Sequence, residues 1–214
     1  MAITNYTELK STIADWLDRT DLTSVIPTFI SLAEHQMERS VRHYKMIVRK
    51  AALLDTQYTE LPSDWLETIR VHLTSGDSHR LELVSLDDMV ELREKSGNTA
   101  GRPRYYAHIG NTIEVYPTPD SSYDMELMYY QKIDPLNSSA TSNWLLDIAP
   151  DAYLYGSLLA AAPYLAEDNR IEVWGGLYSS AIQALNNTSD ASRDSGSGLL
   201  SLIHISEPTR RRGI

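Results

Sequence analysis

The sequence predicts an α+β protein in which an antiparallel helical bundle, built from N- and C-terminal helices, carries an inserted antiparallel β domain. Apolar residues recur at helical intervals in residues 1–44 and 137–188. Between them, in residues 45–136, apolar and polar residues alternate as they do in strands. Helices at the two ends of a chain pack most simply against each other, so we expect the β domain between the two halves of the bundle.

Two helices are predicted in residues 1–44. The first begins with a capping box, because Asn5 is followed three residues later by Glu8, and its apolar stripe lies within residues 9–17. The second is predicted to begin at Ser24, with Pro27 in its first turn. Proline is tolerated there because the N–H groups of the first turn have no acceptor within the helix. Two amphipathic helices joined by a short link form a helical hairpin.

Three alternating segments and one short helix are predicted in the β domain. Residues 69–83 are predicted to form a hairpin about a Gly-Asp turn, and residues 105–116 a second hairpin about a Gly-Asn turn. Ser85 is predicted to cap the short helix, which ends near Lys95. Residues 123–130 form the third alternating segment.

A buried helix is predicted after the β domain. Residues 152–166 contain no charged side chain and are apolar on every side, which indicates that the helix is covered by other elements. The segment is shorter than the roughly 20 residues that span a bilayer. Pro163 is expected to kink or end it.

The last predicted helix begins at Asp168, a capping residue, and its apolar stripe reaches Leu185. Gly175 and Gly176 lie inside this helix, and we interpret them as a point of close packing against another helix rather than as a hinge. The stretch after Leu185 is polar, and residues 189–199 within it are predicted to form a flexible tail.

Residues 200–214 are expected to be an artefact. The letters LSLIHISEPTR resemble one reading frame of a transposase-based sequencing-library adapter. The next three residues match the arbitrary codons of an index, and Ile214 matches the point where the adapter resumes. A translated adapter carries no information about the fold, so we expect the natural sequence to differ after Leu199.

The net charge of −10 and the absence of cysteine exclude several classes of function. An acidic protein does not bind nucleic acid through bulk phosphate neutralisation. Without cysteine there is no disulfide framework, thiolate nucleophile or cysteine-bound zinc. The N-terminal residues lack the layout of a signal peptide. We expect neither a membrane nor a specific nucleic-acid sequence among the partners.

No metal or cofactor site is predicted. His72 and His79 flank a hairpin turn and His108 lies in a later strand, so the three side chains could converge on one sheet face. The sequence has none of the short histidine motifs that bind zinc, and solvated strand histidines explain the pattern equally well.

No catalytic residue is predicted either. The acidic cluster of Asp87, Asp88 and Glu91 fits the first turn of a helix, where the helix dipole favours carboxylates. The sequence contains no nucleophile elbow and no glycine-rich phosphate loop. We therefore expect a protein that is not an enzyme.

A small basic and aromatic group lies within residues 101–107, with the sequence GRPRYYA. Its members Arg102, Arg104, Tyr105 and Tyr106 could stack on sugars or bases. The 13 tyrosines of the chain favour a surface that contacts other proteins, because tyrosine buries apolar area and keeps a polar tip.

Several stretches together resemble the head-to-tail adaptor proteins of short-tailed phages, the tail tubular protein A-like family. These stretches, in order, are residues 6–22, 25–42, 61–67, 101–107, 143–146 and 151–165. The resemblance implies a structural virion protein without catalytic residues or cofactor. It also implies a ring of copies of the chain, twelvefold in the family, between the portal protein and the tail nozzle protein.

The resemblance further implies that the C-terminal segment binds the portal. In this sequence that role falls on five residues: Ser189, Asp190, Arg193, Asp194 and Leu199. The expected location is the head–tail junction of the virion, after assembly in the cytoplasm of the bacterial host.

Two other functions remain open at this stage. The first is a different phage component, of a ring, a baseplate or a completed head. The second is a glycan-binding or hydrolytic virion module, which would need aromatic residues and carboxylates together in one cleft near Arg104, Tyr105 and Tyr106.

Overall fold

The computed structural model describes residues 3–19, 21–97, 99–165 and 169–194. The helices are, in chain order, α1 Tyr6–Leu17, α2 Ile26–Ser40, α3 Leu86–Ser96, α4 Trp144–Ile148, α5 Pro150–Ala160 and α6 Arg170–Asp194. The strands are, in chain order, β1 Ile47–Leu54, β2 Tyr58–Glu60, β3 Trp65–Leu73, β4 His79–Arg80, β5 Glu82–Leu83, β6 Tyr105–Ile109, β7 Thr112–Tyr116 and β8 Tyr123–Gln131.

These elements form two compact units. The helical unit contains the described residues up to Tyr44 and from Pro135 onward, and the β unit is Lys45–Asp134. No helix among the described residues combines the length and the apolar character that crossing a membrane requires.

The helical unit is organised around α5, which contacts α1, α2, α4 and α6. Gly156 of α5 lies where two of these helices approach most closely. A Cβ atom added there would lie 3.1 Å from the Cβ of Ala33 and 3.1 Å from Cε2 of Tyr178. Glycine at this position therefore allows α2 and α6 to approach α5 at the same level.

The two glycines of α6 have a different environment. Apart from the chain neighbours and the nearby backbone of α6 itself, no atom among the described residues lies within 4 Å of a Cβ built on Gly175 or Gly176. The interpretation of this pair as a close packing point is wrong, because both positions face open space. The close-packing glycine is Gly156, which the sequence pattern did not distinguish.

The helix ends agree in part with the predicted signals. The Asn5 side chain accepts a hydrogen bond from the N–H of Glu8 at 3.0 Å, so the predicted cap is confirmed. The cap predicted at Ser24 is wrong, since α2 begins at Ile26 without a side-chain cap. Pro163 does end α5, because a 3₁₀ turn replaces the helix there.

The β unit contains two four-stranded sheets. The first has the order β1-β8-β3-β4 and the second β2-β7-β6-β5. Their apolar faces share one core, which includes Leu73 and Tyr129 from the first sheet and Tyr106 and Val115 from the second. The predicted hairpin of residues 105–116 is confirmed as β6 and β7.

Helix α3 covers the other face of the second sheet. Met89 of α3 packs there against Ala107 and Tyr116. Arg93 of α3 donates from Nε to Oε1 of Glu114 at 3.0 Å, and this pair is largely buried. The cap predicted at Ser85 is confirmed, since its hydroxyl accepts from the N–H of Asp88 at 3.1 Å.

The predicted architecture, an antiparallel helical bundle with one inserted antiparallel β domain, is wrong. The structure is α+β, but its strands form two sheets rather than one antiparallel domain, and the helices pack around a central α5. Strand β5 pairs with β6 in the parallel direction. The physical reason is that α3 connects these two strands, and such a crossover brings the second strand back in the direction of the first.

Candidate functional site

The C-terminal part of α6 is the region for which the sequence predicts partner binding. The apolar stripe was expected to end at Leu185, but α6 continues to Asp194. The extension is held by polar contacts to the chain segment that leaves α2. We call these contacts the clasp: Asn186 and Ser189 on α6, with Ser40, Arg42 and Tyr44 as their partners.

The clasp consists of three hydrogen bonds. Asn186 accepts from the backbone N–H of Arg42 at 3.1 Å and donates to the carbonyl of Ser40 at 3.1 Å. Ser189 accepts from the backbone N–H of Tyr44 at 2.9 Å. The last carbonyls of a helix lack partners within the helix, so Asn186 supplies a donor that the end of α2 needs.

Ser189 is fully buried, although serine is a polar residue. Tyr178, Ile182, Leu185 and Ser189 follow one another at intervals of three or four residues, so Ser189 continues the buried stripe of the other three. The signal for the burial of Ser189 was therefore present in the sequence as spacing, but not as hydrophobicity. Asn186, the other clasp residue on α6, had no comparable signal.

The residues predicted to bind the portal are in different situations. The Ser189 side chain is enclosed, whereas Asp190 is exposed on α6. Arg193 and Asp194 belong to the last turn of α6. Leu199 lies outside the described residues, as do the predicted cap at Asp168 and the expected artefact at 200–214.

A groove of about 180 Å³ lies beside the clasp. It is lined by His43, Ile148, Ala149, Asp151, Ala181, Ala184, Leu185 and Thr188. His43 is buried and stacks on Trp144, with ring centroids 5.2 Å apart and planes 18° apart. The segment after α2 is thus fixed on two sides, by the clasp and by this stacked pair.

A second polar network in the helical unit centres on a buried carboxylate. Glu34 of α2 accepts from the N–H of Leu136 at 2.8 Å and from the hydroxyl of Tyr153 at 3.2 Å. Asn143 donates to the Tyr153 oxygen at 2.7 Å and caps α4 through its own side-chain oxygen. The network links α2, α5 and the start of α4.

Burial sets the protonation of this network. It raises the pKa of the Glu34 carboxyl, and the hydrogen bonds from Leu136 and Tyr153 offset part of that rise. Burial, and then the neighbouring Glu34, raise the pKa of the Tyr153 phenol. Both effects favour uncharged groups in the interior of the helical unit.

The three strand histidines do not converge. His72 bonds to the Ser78 hydroxyl at 2.8 Å, and His79 bonds to the carbonyl of Pro103 at 2.8 Å. His108 lies beside the Trp65 ring, and burial lowers its pKa. In the part of the chain that the structure describes, no group of three or more acidic or histidine side chains is placed to hold a metal ion.

The acidic cluster of α3 has local partners. Asp88 accepts from the Ser85 hydroxyl at 2.6 Å, and Glu91 pairs with Lys95 one turn later. Asp87 lies in the first turn of the helix. This arrangement matches the helix-terminus interpretation of the cluster.

The basic and aromatic group does form a cleft, of about 400 Å³, in the β unit. Arg102, Arg104 and Tyr105 line it. Arg102 is engaged in structure, because its guanidinium donates to the carbonyls of Ser75 and Asp77. It therefore holds the turn between β3 and β4 in place.

Tyr106 does not belong to this cleft. Successive residues of a strand point to opposite faces, so Tyr106 lies in the core between the sheets while Tyr105 lies on the face that α3 covers, half-buried beside the Met89 cluster. Two carboxylates, of Asp77 and Glu82, also line the cleft. Carboxylates beside an aromatic ring are the combination that a glycan-binding module requires, so the cleft alone does not separate that function from a structural one.

Comparison with known families supports the structural function. The profile of the SU10 adaptor protein family matches residues 4–200. The chain belongs to the SU10 adaptor protein family. It is therefore a phage adaptor with a structural role in the virion, as predicted at that level. A comparison with curated proteins finds no match. The narrower likeness to tail tubular protein A-like proteins stays a prediction, and so does the adapter origin of residues 200–214.

Proposed function

We propose that this SU10 adaptor family protein forms a ring at the head–tail junction, between the portal protein and the tail nozzle protein. The observation that carries the proposal is the family match, which extends over residues 4–200 and includes both units. A ring requires two different side faces that fit each other head to tail. A twelvefold ring would give one adaptor subunit for each portal subunit.

In this proposal, the portal contact lies at the C-terminal end of α6. Asp190, Arg193 and Asp194 supply charged groups there, and Leu199 supplies an apolar contact in the segment that follows. Ser189 acts differently in this proposal, because its side chain is enclosed. It fixes the point from which the portal-binding residues extend.

The test is co-assembly with portal rings from the same genome. The chain is produced with the residues after 199 read from intact genomic DNA, which also tests the adapter origin of 200–214. Native mass spectrometry then measures the stoichiometry. We expect a discrete complex with one adaptor subunit per portal subunit.

A charge reversal at the proposed contact makes the test specific. Asp190→Lys is expected to weaken the complex, whereas Asp87→Lys, also an exposed helical aspartate, is the matched control. If the full chain forms no complex with portal rings, the head–tail proposal is wrong, and another ring, baseplate or head-completion role takes its place. If both variants bind equally well, the portal contact lies elsewhere.

A further inference from the structure

The edge of the first sheet is open along β1. Strand β1 pairs with β8 on one side, and no strand among the described residues pairs with its other side. The other edge strands of the β unit, β2, β4 and β5, contain two or three residues, whereas β1 contains eight. Proteins usually shorten, twist or cover such edges, because an exposed edge is a template for another strand.

The core is also incomplete beneath this edge. The register with β8 places Lys50 opposite Leu127 and Ala52 opposite Met125, and both partners are core residues, so Lys50 and Ala52 point inward. Yet both are exposed, although Leu54 on the same face is fully buried. The core therefore has a gap between these inward positions.

The gap has a volume of about 250 Å³. Its walls are Lys50, Ala51, Ala52, Glu60, Leu61, Pro62, Met125 and Leu127. An apolar cavity of roughly 150 Å³ already admits a benzene ring, so this gap admits a large apolar side chain. A second depression, of about 340 Å³, lies at Ala51 and Leu53, which point to the outer face.

The two depressions adjoin the same strand edge, and Ala51, Ala52 and Met125 border both of them. A strand that pairs with β1 would direct successive side chains to alternate faces of the sheet beside these residues. This is the geometry of strand addition, in which main-chain hydrogen bonds give affinity and alternating pockets give specificity. We propose that the β1 edge binds an extended segment of a partner protein, which adds a fifth strand to the sheet and completes the core.

Charge and size define the segment. Lys50 has no ion pair among the described residues, so the partner residue opposite it is acidic. The partner residue opposite Ala52, two positions away on the same face, is a large apolar residue that enters the gap. Antiparallel pairing with a second copy of this strand is less favourable, because pairing about Ala51 places Lys50 opposite Ala52 and leaves the gap empty, and pairing about Lys50 places two lysines opposite each other.

The test uses two synthetic peptides and the full chain. The first is acetyl-Thr-Leu-Thr-Glu-Thr-Leu-Thr-amide, in which the acid and the leucines two positions before and after it share one face, so that it fits β1 in either strand direction. The second, acetyl-Thr-Leu-Glu-Thr-Thr-Leu-Thr-amide, has the same composition with the acid on the other face. Binding is followed by backbone amide shifts and hydrogen exchange of residues 47–54. We expect the first peptide to bind and to slow exchange along β1, and the second to bind at least about tenfold more weakly.

Substitutions in the chain complete the test. Ala52→Lys places a charge over the gap and is expected to weaken the first peptide at least about tenfold, whereas Ala140→Lys, on an exposed loop of the helical unit, leaves binding unchanged. Lys50→Glu, also at an exposed position, removes the preference for the first peptide.

The proposal is overturned if neither peptide at millimolar concentration affects β1, or if Ala52→Lys binds as the unchanged chain does. It is also overturned if β1 becomes protected with rising protein concentration alone, since a second copy would then cover the edge.

Discussion

Removing the clasp tests whether polar contacts, rather than apolar packing, hold the C-terminal part of α6. The double variant Asn186→Ala, Ser189→Ala deletes all three clasp hydrogen bonds. A hydrogen bond contributes about 0.5–1.5 kcal/mol net, and a buried donor left without a partner costs about 1–3 kcal/mol. The N–H of Tyr44 loses its acceptor in Ser189→Ala, so we expect this substitution to cost about 1–3 kcal/mol. Asn186→Ala removes two hydrogen bonds, so we expect about 1–3 kcal/mol from it as well.

Hydrogen exchange of the α6 amides is the appropriate assay, because a chain with two units need not unfold in a single step. A loss of about 2 kcal/mol in local stability increases exchange roughly thirtyfold for residues 182–194. The matched control is Thr188→Ala. Thr188 is exposed, and its hydroxyl bonds only within its own helix, to the carbonyl of Ala184 at 2.8 Å.

The comparison with this control decides the result. If Ser189→Ala and Asn186→Ala exchange at the rate of Thr188→Ala, the clasp does not stabilise α6 and the reasoning is refuted. If both variants exchange faster and Ser189→Ala also loses portal binding, Ser189 acts by holding the end of α6 in position, since Ser189→Ala leaves Asp190 and the residues after it unchanged.

Three further predictions concern the two units separately. Gly156→Ala is expected to destabilise the protein by about 1–3 kcal/mol through overpacking, whereas Gly176→Ala stabilises it by about 0.5–1 kcal/mol; urea unfolding with the opposite order would contradict this. Glu34 has a raised pKa, so its stabilising contribution is complete below the ordinary carboxyl value of 4.5 and is lost as the pH rises through the raised value. Glu34→Gln should remove this pH dependence from urea unfolding curves, and an unchanged pH profile would reject the assignment. Arg93→Ala leaves the Glu114 carboxylate without its main partner and is expected to cost about 3 kcal/mol, measured by thermal unfolding against Lys95→Ala, an exposed control; equal melting temperatures would show that the buried pair is unimportant.

The sequence predicted those elements whose signals are local. The Asn5 and Ser85 caps and the hairpin of residues 105–116 each depend on a few neighbouring residues. The residues around β4 and β5 show the limit of such signals. Leu81 and Leu83 alternate with polar neighbours as a second hairpin strand would, but the chain passes to the other sheet after Arg80. Alternation specifies which face a residue occupies, not which strand lies beside it.

The same limit applies to the candidate site. The family resemblance assigned portal binding to residues 189–199, which the sequence predicts to be a flexible tail, but residues up to Asp194 belong to α6. The helical spacing continues the buried stripe of α6 to Ser189, but serine is not hydrophobic, so its complete burial was not recognised. Its partner, the N–H of Tyr44, lies 145 residues away along the chain, and no local pattern encodes that contact.

Glu34, Asn186 and Ser189 have one property in common that bears on the proposed role. Each polar side chain bonds to a main-chain group of a segment far away in sequence, at Leu136, Arg42 and Tyr44 respectively. Apolar contacts are non-directional and tolerate small shifts of one helix along another, whereas hydrogen bonds require a defined distance and angle. These contacts therefore fix the position of the helices in addition to stabilising them locally. An adaptor that presents the end of α6 to a symmetric partner needs that end at the same position in every subunit, and directional contacts to the α2 exit meet this need where apolar packing alone would not.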